Sequence, residues 1–311
     1  MDKIVELHNK PGRALLPQKK IDVNDFPFTL NTTIGCLFEC AYCYLQNAPF
    51  NLHTDFGKEI KVKTWIPEKL NKDLEKHKGL PQHLKRVQVN PATEGYLPQG
   101  IKKIEDGLGR DIMREVLDIF RQHWDNGNKW MIHLVTKSQL VLRHLDLFAT
   151  MADQFQLELT LTTLDEERAR TLEGTAPTVA KRLDVIKQFS AADIFVRVMC
   201  MPFIGTEDEA KYLRDECFKL GARGFKHKAL NYFDETEMLK GNLVGGGGKR
   251  DVGYKNLLVK SGEPVLDKAG QTQSKTVSIP DKKWKVFSDE TRTIVNSGYS
   301  ELNTLDWGYI V

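Results

Sequence analysis

Six short runs of strand-forming residues alternate with longer stretches of helical periodicity between residues 27 and 231, and this narrows the fold to a parallel α/β architecture. The runs are PFTLNTT (27–33), VQVNPA (87–92), MIHLVTKS (131–138), LELTLTTL (157–164), IFVRVMCMP (194–202) and FKHKALN (225–231). Between them, DIMREVLDIFRQHW sets Ile112, Val116, Ile119, Phe120 and Trp124 on one helical stripe, and TVAKRLDVIKQF does the same with Val179, Leu183 and Ile186. With 41% hydrophobic and 28% charged residues, a chain of 311 residues can bury a sizeable core without disulfides, and no apolar run is long enough to span a bilayer.

Parallel strands covered on both faces usually read as near-continuous apolar runs. Here one strand face carries Gln88, Asn90, His133, Lys137, Thr160, Thr162, Arg197, Lys226 and Lys228. Helices cover the outer face, so these side chains are expected to line a lumen that is wet or holds a polar ligand, unlike an eight-stranded barrel packed with branched side chains. Six units imply a partial (β/α)6 barrel, open at one side. The expected organisation is an amino-terminal extension (1–26), the partial barrel (27–231), and a carboxyl-terminal extension (232–311) containing some β structure.

The first strand runs into Gly35-Cys36-Leu37-Phe38-Glu39-Cys40-Ala41-Tyr42-Cys43-Tyr44. With five cysteines in the chain, this spacing arises by chance in about one in a thousand such sequences. Three thiolates in one tight loop can hold three irons of a cubane, whereas a structural zinc site wants four closed ligands, usually from paired C-x2-C elements, and no second pair exists here. A cluster with one iron lacking a protein thiolate keeps a coordination site open for chemistry. A non-catalytic metal-binding module is the other class of reading. Cys200 lies on the opposite strand face from Arg197 and is expected to point toward the helices.

The CxxxCxxC motif after the first strand of a six-unit barrel resembles the radical S-adenosylmethionine superfamily. Tyr42-Cys43-Tyr44-Leu45-Gln46, Leu134-Val135-Thr136-Lys137-Ser138, Thr162-Thr163-Leu164-Asp165-Glu166-Glu167, Leu172-Glu173 and Arg182-Leu183 are similar to the spore photoproduct lyase family of DNA-repair radical enzymes, over about residues 27–231. The resemblance implies a [4Fe-4S] cluster on Cys36, Cys40 and Cys43. It also implies S-adenosyl-L-methionine as cofactor, reductive cleavage to a 5′-deoxyadenosyl radical, hydrogen abstraction from substrate, and a flavodoxin- or ferredoxin-like electron donor. Tyr42 is then expected beside the adenine, for which its flat apolar ring is suited. On chemical grounds the methionine carboxylate calls for a cation or hydroxyls, which Lys137, Thr162 and Arg197 can offer. Its ammonium calls for acceptors, which the turn Asn90-Pro91-Ala92-Thr93-Glu94 supplies. Lys137 can instead contact substrate.

The lyases return a hydrogen atom to the product radical from a cysteine after the second strand, and this chain has none between Cys43 and Cys200. Tyr44 or Tyr96 can take that role, or the product recovers its hydrogen from 5′-deoxyadenosine, as suits an isomerase.

The net charge of +3 is unevenly distributed. Residues 240–285 hold ten Lys and Arg against four Asp and Glu, +6 in all, leaving −3 for the rest. Tyr254, Trp284 and the glycine run 245–248 lie in this segment, which reads either as a phosphate-backbone contact surface or as a solvated lysine-rich face. The expected substrate is a thymine-derived or modified base in DNA, with a small metabolite or peptide as the alternative. The amino-terminal MDKIVELHNKPGRALLP lacks the apolar stretch of a secretory signal, so a cytoplasmic protein with reduced thiols is expected.

Overall fold

The computed structural model describes residues 3–18, 26–43, 45, 56–203 and 205–229, together with short strand segments between 254 and 277. Its centre is a seven-stranded sheet. Strands β3 (Phe28–Leu30), β6 (Arg86–Val89), β7 (Met131–Thr136), β8 (Phe155–Thr160), β9 (Phe195–Phe203) and β10 (Gly224–Ala229) run parallel in that order, and β2 (Leu16–Pro17) adds antiparallel to β3 at one edge. Each of the six expected strand segments overlaps one of the parallel strands. The molecule is a mixed α/β fold.

Parallel neighbours need crossovers, and helices provide them. The element α1 (Ile66–Lys76) precedes β6; α2 (Pro98–Leu108) and α3 (Ile112–Asp125) join β6 to β7; α4 (Leu145–Ala149) leads to β8; α5 (Glu166–Glu173) and α6 (Val179–Ala191) lead to β9; α7 (Glu207–Lys219) leads to β10. Caps mark their starts. Asp111 accepts from the amide of Arg114, Asp165 from those of Glu167 and Arg168, and Thr206 and Glu209 form a reciprocal capping box.

Helix α3 is rotated slightly from the stripe expected for it. Ile112, Met113, Val116, Leu117, Phe120 and His123 are buried, while Ile119 and Trp124 are only partly so. The sheet draws in a wider apolar arc than one narrow row, and Met113 and Leu117 extend it on one side. Likewise α6 buries Val179, Arg182, Val185, Ile186 and Phe189, with Leu183 at the margin.

A second, small sheet of order β1-β5-β4 stands beside the first. Strand β4 (Thr33–Ile34) follows β3 directly and pairs antiparallel with β5 (Glu59–Val62), whose other edge takes β1 (Ile4–Leu7) in parallel. The entrance to the cysteine loop is thus hydrogen-bonded into a sheet of its own. In the carboxyl-terminal extension β11 (Tyr254–Leu257) pairs with β14 (Ser274–Val277), and β12 (Val259–Lys260) with β13 (Glu263–Pro264), both antiparallel. The glycine run and Trp284 lie outside the described residues. No described helix is long and apolar enough to cross a membrane.

Candidate active site

In an open parallel sheet, ligands bind beyond the carboxyl ends of the strands. Four such ends carry the candidate residues. The cysteine loop follows β3, the turn with Thr93 and Glu94 follows β6, Lys137 follows β7 and Thr162 follows β8. Cys40 is buried, whereas Cys36 and Cys43 are partly exposed. Burial raises all three thiol pKa values, that of Cys43 to about 12; neighbouring thiolates reinforce the rise at Cys36 and Cys43, whereas Lys137 opposes it at Cys40.

The loop is held from its far side by the end of α5. The amide of Ala41 donates to the carbonyl of Leu172 at 2.7 Å, the amide of Thr175 to Phe38 at 3.0 Å, and the Thr175 hydroxyl to Leu37 at 2.9 Å. Between them Gly174 takes φ +54°, and a Cβ there would lie 2.5 Å from the Phe38 carbonyl oxygen, so only glycine fits. On the other side Lys3 pairs with Glu39 at 2.6 Å and donates to the Gly57 carbonyl at 2.6 Å, which supports the left-handed backbone of Glu39 (φ 59°).

One carboxylate organises the charges beside Cys40. Glu173 is 1% exposed and pairs with Arg182 at 2.5 Å and with Lys137 at 3.7 Å. It also accepts from the hydroxyl of Thr162 at 3.0 Å and from that of Tyr42. Burial disfavours its ionised form, but Arg182 and then Lys137 outweigh that and hold its pKa below the ordinary value. The Lys137 ammonium lies 3.6 Å from Cys40 Sγ and 5.1 Å from the centroid of the Tyr42 ring. Burial opposes its charge, yet Cys40 and Glu173 prevail and raise its pKa. Two cations on one carboxylate leave a positive excess facing the thiols.

Glu94 is the second buried carboxylate. It accepts from the amide of Tyr96 at 2.9 Å, the hydroxyl of Thr136 at 2.8 Å and the amide of Lys137 at 2.9 Å. Burial raises its pKa, partly offset by those donors. Thr93 donates to the Gly35 carbonyl at 2.5 Å and meets the hydroxyl of Thr33, tying its turn to the cysteine loop. Asn90, in the left-handed region (φ 57°), spends its side-chain oxygen on the amide and hydroxyl of Thr32, both at 3.0 Å. Tyr42, Thr93, Glu94, Lys137 and Thr162 therefore gather around the loop through shared partners, and Asn90 braces the strand behind them. Tyr44 lies outside the described residues.

Arg197 stands elsewhere. It is inside β9, in register with Glu158 of β8 and Gly224 of β10, and its guanidinium binds Glu158 at 2.8 Å and approaches His133 at 3.3 Å. His133 itself pairs with Glu158 at 2.8 Å. These polar residues of the inner sheet face bond to one another. Glu158 has the same strand parity as Thr160 and Thr162, so alternation could have found it; Glu173 and Arg182 come from helices, where no period pointed to them. Cys200 is fully buried and donates to the carbonyl of Thr162 at 3.7 Å, with Cys217 of α7 close enough to raise its pKa further.

The β8–β9 pair makes stability pH-dependent. Burial opposes the Glu158 charge, but Arg197 and His133 hold its pKa well below the carboxylate range, while burial keeps His133 below the usual histidine value. In both cases the unfolded chain binds more protons, so stability falls with pH, first below about 6.5 for the histidine and then below about 4.3 for the carboxylate. Urea midpoints from pH 7.5 to 4 should fall more steeply in the natural chain than in Glu158→Gln; equal slopes would remove this pair as the cause.

Among the described residues no three His, Cys, Asp or Glu side chains converge on a single ion. A polynuclear cluster, each of whose irons takes one thiolate, does not require such convergence. The donor set fits it: three soft sulfur ligands on one loop, with a lysine beside them.

This architecture defines an α/β protein with a three-cysteine loop at the carboxyl edge of its parallel sheet. Among solved structures, it has the fold of spore photoproduct lyase: a variant of that enzyme matches with TM-score 0.57 at 12% identity over 98% of this chain and 78% of its own. The lyase complexed with dinucleoside spore photoproduct matches with TM-score 0.56 at 13% identity, over the same shares. At 12–13% identity this likeness is one of fold. No family model matches the chain. Curated relatives include an uncharacterized protein of Acidianus two-tailed virus, 26% identical over 180 residues, 56% of this chain and 55% of its own. Another, from Methanocaldococcus jannaschii, is 25% identical over 206 residues, 66% of this chain and 71% of its own. A third, from Mycobacterium bovis, is 26% identical over 64% of this chain and 53% of its own, so the chain spans about half the length of two of the three.

Proposed function

We propose that this protein is a radical S-adenosylmethionine enzyme built on a partial (β/α)6 barrel, with a base in DNA as its substrate. The observation that carries the reading is the Lys137 ammonium held by Glu173 at Cys40, on the edge where four strands end. Cys36, Cys40 and Cys43 are the residues to hold a [4Fe-4S] cluster. When bound, that cluster and S-adenosylmethionine supply a 5′-deoxyadenosyl radical that takes a hydrogen atom from substrate. Lys137 is the cation for the methionine carboxylate, with Thr162 beside it; Glu94 is an acceptor for the ammonium; the Tyr42 ring offers its face to the adenine. Thr93 and Asn90 hold the turn that carries Glu94. Arg197 braces the sheet from inside and is assigned no cofactor contact.

The DNA reading rests on the +6 segment 240–285 and on the lyase neighbour, whose solved complexes hold a dinucleoside lesion. A base in duplex would be extruded at about a few kcal/mol to reach the open side of the sheet. The missing cysteine after β6 favours a rearrangement over a lyase reaction that ends on a thiol. A flavodoxin- or ferredoxin-like protein is the expected electron source, in the cytoplasm.

Anaerobic, reduced protein given S-adenosylmethionine should release 5′-deoxyadenosine and methionine, and absence of both would overturn the reading. For the substrate, DNA affinity should fall steeply with salt, roughly in proportion to the number of phosphates contacted. No binding at low salt would point to a metabolite or peptide instead.

A further inference from the structure

Strand β5 runs into a lysine that the cofactor reading leaves unused. The Lys63 amide donates to the Thr32 carbonyl at 2.9 Å, and its ammonium donates to the Asn31 carbonyl at 2.9 Å. The Asn31 side chain accepts from the amide of Ala92 at 3.0 Å, in the turn that carries Thr93 and Glu94, so the lysine stands at the rim of the candidate site. Burial alone acts on its ammonium, with no carboxylate to offset the loss of water, and pushes its pKa down to about 8. It is still mostly charged at neutral pH, and a partly buried cation without a counter-charge calls for an anion.

Its surroundings favour the same sign. Helix α1 starts three residues on, and no side chain caps its first amides, so the positive end of the helix is open beside Lys63. Trp65, at the N-cap position, directs its indole N–H to Nδ1 of His8 at 3.2 Å, which leaves Nε2 as the protonated nitrogen of that ring. Residues 8–13 form a strap at this corner. The His8 amide donates to the Val62 carbonyl at 2.7 Å, Asn9 accepts from the Thr64 hydroxyl at 3.2 Å, and a Cβ at Gly12 would lie 3.4 Å from the Trp65 ring. Lys10 and Arg13 are exposed on the strap. The neighbouring carboxylates are engaged: Glu68 pairs with Arg110 at 3.0 Å, Glu6 and Glu59 pair with Lys61, and Asp73 accepts from the amides of Ala14 and Leu15.

We propose that Lys63, the amino end of α1 and the strap 8–13 form a phosphate-binding rim that holds the DNA backbone beside the candidate site. This rests on the DNA reading above and deepens it, adding to the segment 240–285 a contact tied to the turn of Glu94. A base drawn out of a duplex enters the site while its phosphates stay at the surface. Meeting one of them gives Lys63 the counter-charge that the fold does not supply. Contacts of this kind set register and leave the reading of sequence to the base.

The test uses the full chain and a short fluorescein-labelled duplex, with binding followed by anisotropy over a series of salt concentrations. For the natural chain, the logarithm of affinity should fall linearly with the logarithm of salt. Lys63→Gln should weaken binding several-fold at low salt and reduce the slope by about 0.9, the value of one phosphate contact, equally for duplexes of unrelated sequence. Lys63→Arg should keep the slope. Lys10→Gln combined with Arg13→Gln alters only exposed side chains and should reduce the slope by about 1.8, so the rim is read even if Lys63→Gln fails to fold. An unchanged slope in folded Lys63→Gln, or in the double variant, would overturn the rim. So would inorganic phosphate displacing the duplex beyond the effect of its ionic strength, since the rim would then be a site for free phosphate. A natural chain that binds no duplex at low salt takes the DNA reading down as well, whereas binding with unaltered slopes removes the rim alone. The cofactor reading is judged apart from both, by 5′-deoxyadenosine release.

Discussion

Cys36→Ala, Cys40→Ala and Cys43→Ala are each expected to lose iron–sulfur absorbance after anaerobic reconstitution, and 5′-deoxyadenosine formation should drop to background. The chain should stay folded. The cysteines sit on a loop whose backbone is held by Leu172, Thr175, Thr93 and Lys3, none of which uses a thiol. Loss of one sulfur, from the buried Cys40 or the partly exposed Cys36 and Cys43, costs about 1 kcal/mol, typical of a single substitution. Circular dichroism should therefore give native spectra with small shifts in melting. Turnover at the natural rate in any of the three would contradict the assignment, and collapse of the fold in all three would mean that the thiols serve packing instead.

The second large effect is expected from Glu173→Ala, which strands two cations, Lys137 and Arg182, in a buried place. Removing one member of a buried ion pair costs about 3–5 kcal/mol, because the partner's desolvation is left unbalanced. Urea unfolding should show the midpoint falling with little change in slope. Glu173→Gln should cost less, since the amide oxygen can still accept from Tyr42 and Thr162. Substitution of both Glu173 and Arg182 should cost less than the two single changes added together, as expected for groups in contact. A loss under about 1 kcal/mol in Glu173→Ala, within the range of ordinary surface changes, would show that the three charges do not act as a unit.

The strands were legible because β-branched and aromatic residues repeat with period two and are bounded by turns. Even so, PFTLNTT yields only Phe28–Leu30 in the main sheet, after which Thr33–Ile34 crosses into the small one. That switch depends on pairing with Glu59–Val62, some 25 residues downstream, which a local pattern cannot register. The cysteines, Lys137, Thr162 and Glu94 were legible through residue type and strand parity. Glu173 was not assigned a role because a carboxylate at the end of a helix looks like any solvated surface group until tertiary packing buries it. His144 and Asp111 fall in the same class: one ends a 3-10 turn, the other caps a helix, and only the packing of α3 against the segment after β7 brings them to Tyr96, a buried residue whose hydroxyl lies 3.1 Å from Nδ1 of His144. Arg197 shows the converse. Its inward parity was readable, but its depth along β9, and hence its distance from the edge, depended on register with Glu158.

The clamp of α5 on the cysteine loop bears on how such a centre is assembled. Small zinc domains order their ligands only as the ion arrives, and chelators unfold them. Here three contacts from residues 172–175, with a glycine that admits no substitute, shape the loop without calling on any thiol. If the proposed cluster is held there, its loss to oxygen would leave these hydrogen bonds to the loop in place, since none of them uses a sulfur atom.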